Sequence, residues 1–151
     1  METKKLKALL ISIVPPQNDC GVRVVMYRHL MEHDPFNVYV VTNEDFYNGT
    51  PYGVKLTLPY PIYRLRKTRF GPRLTSWFID YENLIWPLII PKLLDKTVKD
   101  FKPDVILTLA ENSLCFLAAK VAKKYNIPLV GLFFDWFPIM KNHYGDRKSV
   151  V

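Results

Sequence analysis

The sequence predicts an α/β fold: a Rossmann-like parallel sheet with helices on both faces. Three observations carry this expectation. Short, largely apolar and β-branched runs recur along the chain, helical periodicity separates them, and the strand-helix-strand order calls for right-handed crossovers. Leu6 to Val14 is the first such run and stops at Pro15-Pro16, residues that cannot donate to a strand ladder. Val22 to His33 carries apolar residues at 22, 26 and 30 and again at 27 and 31, a helical pattern closed by Asp34-Pro35. Val38 to Thr42 reads as the second strand and Val54 to Leu58 as a shorter third.

A long helical stretch follows Thr75, marked by Trp77, Tyr81, Leu84 and Leu88, then Leu94, Val98 and Phe101. Pro87 and Pro91 interrupt it. Each removes a backbone donor and clashes with the preceding turn, so a kinked helix or two helices end to end is expected, with Pro103 ending the stretch. Val105 to Leu109 is the fourth strand, Asn112 to Tyr125 a helix with one apolar side, and Leu129 to Phe134 the fifth strand.

With 151 residues, 49% apolar and 23% charged, one globular domain with a sizeable core is expected. The best uninterrupted apolar run, Leu84 to Pro91, is eight residues, against the roughly 18 of a membrane span, so no transmembrane helix is expected. Ala8 to Val14 leads into Pro15-Pro16-Gln17-Asn18-Asp19 rather than a small-residue cleavage site, which argues against a signal peptide and makes the cytoplasm the expected location. Cys20 and Cys115 give no disulfide framework. His29 and His33 lie four apart without a glutamate-based zinc signature, so no metal site is expected.

In a doubly wound sheet, ligands lie beyond the C-terminal strand ends where the strand order reverses. Three loops should gather there: Pro15 to Gly21, Ala110 to Ser113 and Asp135 to Pro138. Gly21, at the start of a helix, allows close backbone approach of a ligand or serves as an ordinary helix-start residue. Asn18 is placed either to hydrogen-bond a hydroxylated ligand or to make the turn, and Arg23 either to meet an anion or to face solvent. Glu111 has the competing roles of acid, base or hydroxyl-binding carboxylate and of a favourable charge in a first helical turn. Asp135, followed by Trp136-Phe137-Pro138, is suited to a sugar hydroxyl with flat apolar contact beside it, or to capping the next segment. No Gly-x-Gly-x-x-Gly and no Walker-type loop is present, which argues against a nicotinamide dinucleotide or phosphate-loop nucleotide.

The formal charge is +7 and unevenly spread. Between Asp45 and Asp80 there is no acidic residue, while Arg64, Arg66, Lys67, Arg69 and Arg73 interleave with Tyr60, Tyr63, Phe70, Trp77 and Phe78. Cations with aromatic rings suit an anionic membrane surface better than nucleic acid here, and a basic loop over core aromatics accounts for the same residues.

Taken together, the proline-containing loop with Gly21 and Arg23, Lys102-Pro103-Asp104-Val105-Ile106, the helix Ala118 to Tyr125, Asn126-Ile127-Pro128-Leu129-Val130 and Asp135-Trp136-Phe137-Pro138 resemble the N-terminal domain of the family-four retaining glycosyltransferases of the GT-B fold. Asp135 to Pro138 is similar to the Asp-Leu-Trp-Pro of members that build bacterial surface polysaccharides. The likeness covers about residues 6 to 140, and departs where the family's paired glycines are replaced by Cys20-Gly21 and where the aromatic order after Asp135 changes. It implies transfer of a sugar from a nucleotide-sugar donor to a glycan or lipid-linked acceptor. Residues 1–151 would be the acceptor-side domain, with no cofactor of its own. A separate C-terminal domain would bind the donor, and the chain by itself would have little or no transferase activity. Gly21 would lie near the donor phosphates and Asp135 near the acceptor or reacting sugar. The rival expectation is a non-catalytic α/β binding or assembly module that contacts a membrane surface or a partner subunit.

Overall fold

In a computed structural model, which describes residues 5–19, 21–33, 35–43, 53–56, 88–110 and 113–133, five parallel strands form a single sheet. They are β1 (Leu6–Ile11), β2 (Phe36–Thr42), β3 (Gly53–Lys55), β4 (Val105–Leu109) and β5 (Leu129–Leu132), in the order β3-β2-β1-β4-β5. The helices are α1 (Gly21–Tyr27), continued by a π-helical turn over Arg28–Glu32, then α2 (Lys92–Phe101) and α3 (Ser113–Tyr125). This is a mixed α/β architecture of Rossmann-like type. β1 is central, with Ile11 in register with Val41 of β2 on one side and Thr108 of β4 on the other.

The alternation of β1 explains why both faces are covered. Leu9 and Ile11 join Val41, Ile106 and the inner sides of α2 and α3 in one core, while Ala8 and Leu10 join Val38, Val40, Leu107, Leu109, Met26 of α1 and Leu30 of the π turn in the other. Adjacent residues of one strand therefore feed opposite cores. Helix α1 lies on one face and α2 with α3 on the other, the arrangement expected when crossovers of one hand lead away from a central strand in both directions.

Helix boundaries follow local chemistry. Pro91, with extended backbone (φ −59°, ψ 141°), immediately precedes α2, so the proline that interrupts the apolar periodicity marks a helix start. The expected helix at 22–33 is instead α-helical only to Tyr27 and then widens into the π turn. Lys102 and Asn126 follow the ends of α2 and α3 with φ of 51° and 53°, the left-handed conformation that lets the Lys102 N–H return to the Val98 carbonyl (3.0 Å) and the Ile127 N–H to Ala122 (3.0 Å). Asp95 joins the two helices, accepting hydrogen bonds from Lys124, Lys99 and Tyr125. Led by Lys124, these donors hold its carboxyl well below the usual carboxylate range, and Asp95 in turn raises both lysines.

The N-terminal edge of the sheet is closed by a reciprocal clasp. The Lys7 N–H donates to the Asp104 carboxylate and the Asp104 N–H donates to the Lys7 carbonyl, both at 2.8 Å. The Lys7 ammonium then donates to the Phe101 carbonyl at 3.2 Å, satisfying an acceptor at the C-terminus of α2, and lies 5.6 Å from the Phe101 ring centre. Residues 57–58 of the expected third strand, the stretch 75–87, Asn112 and Phe134 lie outside the described residues. Among the described residues, no helix is long and apolar enough to cross a membrane.

Candidate functional site

The order β3-β2-β1-β4-β5 places the reversal of strand order between β1 and β4, because the chain leaves β1 toward β2 and later returns to the other side of β1. In such sheets the loops that follow those two strands lead to helices on opposite faces, and ligands bind beyond the C-terminal strand ends at that point.

β1 is braced where it leaves the sheet. The Ser12 N–H still donates to the Val41 carbonyl at 3.0 Å, but beyond this point the ladder gives way to side chains. The Thr108 hydroxyl donates to the Ile11 carbonyl at 2.8 Å from β4, and the Thr42 hydroxyl donates to the Ile13 carbonyl at 3.2 Å from β2. The Ser12 hydroxyl accepts from the Val14 N–H at 3.1 Å, turning the chain into the buried pair Pro15-Pro16. Diverging strands lose backbone partners, and short hydroxyl side chains restore them.

From there the loop folds back onto the first turn of α1. The Gln17 N–H donates to the Arg23 carbonyl at 3.3 Å, and the Arg23 guanidinium donates from one nitrogen to the Gln17 side-chain carbonyl and the Asp19 carboxylate, each at 3.0 Å. Arg23 is therefore tied into the loop by a neutral and an anionic partner. Asn18 is exposed at the loop tip. Gly21 has φ +51°, and a Cβ built there would meet nothing within 4 Å, so glycine is favoured by the left-handed backbone and not by a close neighbour.

Among the described residues, two polar atoms at this end of the sheet are buried without a hydrogen-bond partner: the Gln17 amide nitrogen and the Asn43 side-chain oxygen. Gln17 is 9% exposed, and its amide orientation is fixed because the oxygen already accepts from Arg23. A buried amide donor left unmade costs about 1–3 kcal/mol, and such groups concentrate where a ligand or ordered water completes them. Asn43 follows β2 directly, so the unpaired atoms belong to the loops after β1 and β2. Sequence reasoning missed both. The available signals were a polar residue directly after Pro15-Pro16 and the Thr42-Asn43 step at the end of an otherwise aliphatic strand.

Just after β4, the Ala110 N–H donates to the Leu132 carbonyl at 3.0 Å, so the pairing of β4 with β5 continues to the last residue of β5. Glu111 and Asp135 lie outside the described residues, as do Arg64, Arg66, Lys67, Arg69 and Arg73. Of the sequence-predicted site residues, the structure brings Asn18, Gly21 and Arg23 into one loop and helix start. Among the described residues, no group of three or more His, Cys, Asp or Glu side chains is placed to hold a metal ion. No protein-family model matches the chain, and a search of curated proteins finds no significant match.

Proposed function

We propose that the chain is the acceptor-side domain of a retaining glycosyltransferase, receiving a glycan or lipid-linked acceptor while a second domain binds the nucleotide-sugar donor. The observation that carries this reading is the reversal of strand order between β1 and β4 with two buried, unpaired amide groups at the same end of the sheet. An amide nitrogen and an amide oxygen are a donor and an acceptor, the complement of sugar hydroxyls, which both donate and accept. The motifs Lys102 to Ile106 and Asn126 to Val130, which carry the family resemblance, flank β4 and β5 and support the same reading.

Sugar transfer with retention needs the leaving phosphate stabilised while the anomeric carbon meets the acceptor hydroxyl. In this reading Gln17, Asn18 and Asn43 orient the acceptor, Arg23 holds the loop that presents Gln17, and Asp135 faces the acceptor or the reacting sugar. Gly21 gives the loop its left-handed turn beside the donor phosphates. Titration of the chain with oligosaccharide and lipid-linked acceptors, followed by amide chemical shifts, tests this directly. Expected are shifts at residues 12–19 and 43 with acceptors and none there with nucleotide sugars. Saturable nucleotide-sugar binding at those residues, or no response to any acceptor, rules the assignment out.

A non-catalytic assembly role is the second reading. The exposed Leu129 and Val130 on the edge strand β5, with Phe133 just after it, favour it, because apolar side chains along a sheet edge suit a partner surface.

A further inference from the structure

Helices α2 and α3, joined through Asp95, carry six lysines against two aspartates. Lys92, Lys96 and Lys99 recur along the outer side of α2, and Lys120, Lys123 and Lys124 along that of α3. Asp95 is occupied by Lys99, Lys124 and Tyr125, and no described residue forms an ion pair with Lys92, Lys96 or Lys123. A groove of 430 Å³ between the helices is lined by Lys92, Lys96, Lys99 and Lys124, with Asp95 and Asp100.

Large apolar side chains stand in the same surface. Leu88 and Ile89, which lead into α2, are 62% and 63% exposed, and Phe116 on α3 is 58% exposed. Lys120, one turn after Phe116, donates its ammonium to the Leu88 carbonyl and so ties the two apolar sites together. Leu88, Ile89, Leu93 and Phe116 project beside lysines that outnumber aspartates six to two, with no stacked rings or guanidinium forks for nucleic acid. They match a fluid, negatively charged surface, in which lysines meet headgroups and aliphatic and aromatic groups settle among acyl chains.

The geometry points to the α2–α3 face as a docking surface for anionic lipid bilayers. It is built from residues separate from Arg64 to Arg73, and it holds whether or not the chain takes part in sugar transfer. Each lysine near such a surface strengthens binding about fivefold, so the face supplies appreciable affinity without a membrane-spanning helix.

Flotation of the chain with vesicles of phosphatidylcholine, with and without phosphatidylglycerol, provides the test. Binding is expected only with phosphatidylglycerol and should weaken as salt rises. The triple variant K92E/K96E/K123E should lower it more than tenfold. L88S/I89S/F116S should remove the part that survives high salt. All six positions bar the linked approach to α2 are on helix surfaces, and thermal melts verify that the variants remain folded. Equal binding to neutral vesicles, or no binding, overturns the proposal. So does anionic binding that both variants retain while R64A/R66A/K67A abolishes it, or a preference for duplex DNA over anionic vesicles at equal salt.

Discussion

The two ends of the parallel sheet are finished in opposite ways. At the N-terminal end, Lys7 and Asp104 exchange backbone and carboxylate hydrogen bonds, and the Lys7 ammonium closes the last turn of α2. At the C-terminal end the backbone is also braced, by Thr42, Thr108 and Ser12, yet the Gln17 amide nitrogen and the Asn43 oxygen are buried and unpaired. Both ends face the same problem, strands that stop and polar groups that need partners. One solves it internally, and the other leaves two buried groups without a partner among the described residues. This difference makes the C-terminal end of the sheet the candidate site and the N-terminal end scaffold.

The largest effect expected on the scaffold is at Thr108. Replacing Thr108 with valine keeps the shape but removes the donor to the Ile11 carbonyl, and should cost about 1–2 kcal/mol in urea unfolding. Gln17→Leu should behave differently. It loses the Arg23 contact but also removes the unpaired donor, two opposing terms of about 1 kcal/mol each, so stability should barely change. Acceptor affinity should nevertheless fall about tenfold, the equivalent of one hydrogen bond. If Gln17→Leu lowers stability as much as Thr108→Val and leaves acceptor binding intact, the C-terminal end is scaffold as well and the comparison collapses. At the other end, Asp104→Ala exposes the Lys7 N–H to water rather than burying it unpaired, so the loss should be about 1 kcal/mol, with acceptor binding unchanged.

Much of this scaffold is legible in the sequence, because its signals are local. Val105 to Leu109 is a strand as its composition implies, and α3 follows its apolar stripe to Tyr125. Pro91 marks the start of α2 because a ring nitrogen cannot donate. The widening of α1 into a π turn at Arg28 leaves the apolar residues Met26, Leu30 and Met31 in an ordinary helical pattern, so periodicity does not reveal it. The site is less legible for a related reason. Gly21, Asn18 and Arg23 stand out as residue types in a loop after the first strand, whereas the importance of Gln17 and Asn43 lies in burial without a partner, which depends on what β1, β2 and α1 bring around them. Arg23 shows the same limit: as a residue type it suggests an exposed cation, but the fold sets Asp19 and Gln17 against it.

The smallest expected effect sharpens the N-terminal side of the comparison. Lys102 links α2 to β4 with φ of 51°, a conformation that costs a residue with a Cβ roughly 1 kcal/mol relative to glycine. Its N–H is satisfied by Val98, so the backbone geometry, not a missing partner, carries the strain. Lys102→Gly relieves that strain but loosens the unfolded chain, and the two effects partly cancel. A net gain of about 0.5 kcal/mol in unfolding free energy is therefore expected, with no change in acceptor binding. A loss of stability instead would mean that the Lys102 side chain contributes more than its backbone costs, and that this end of the sheet is held by more than the Lys7–Asp104 clasp.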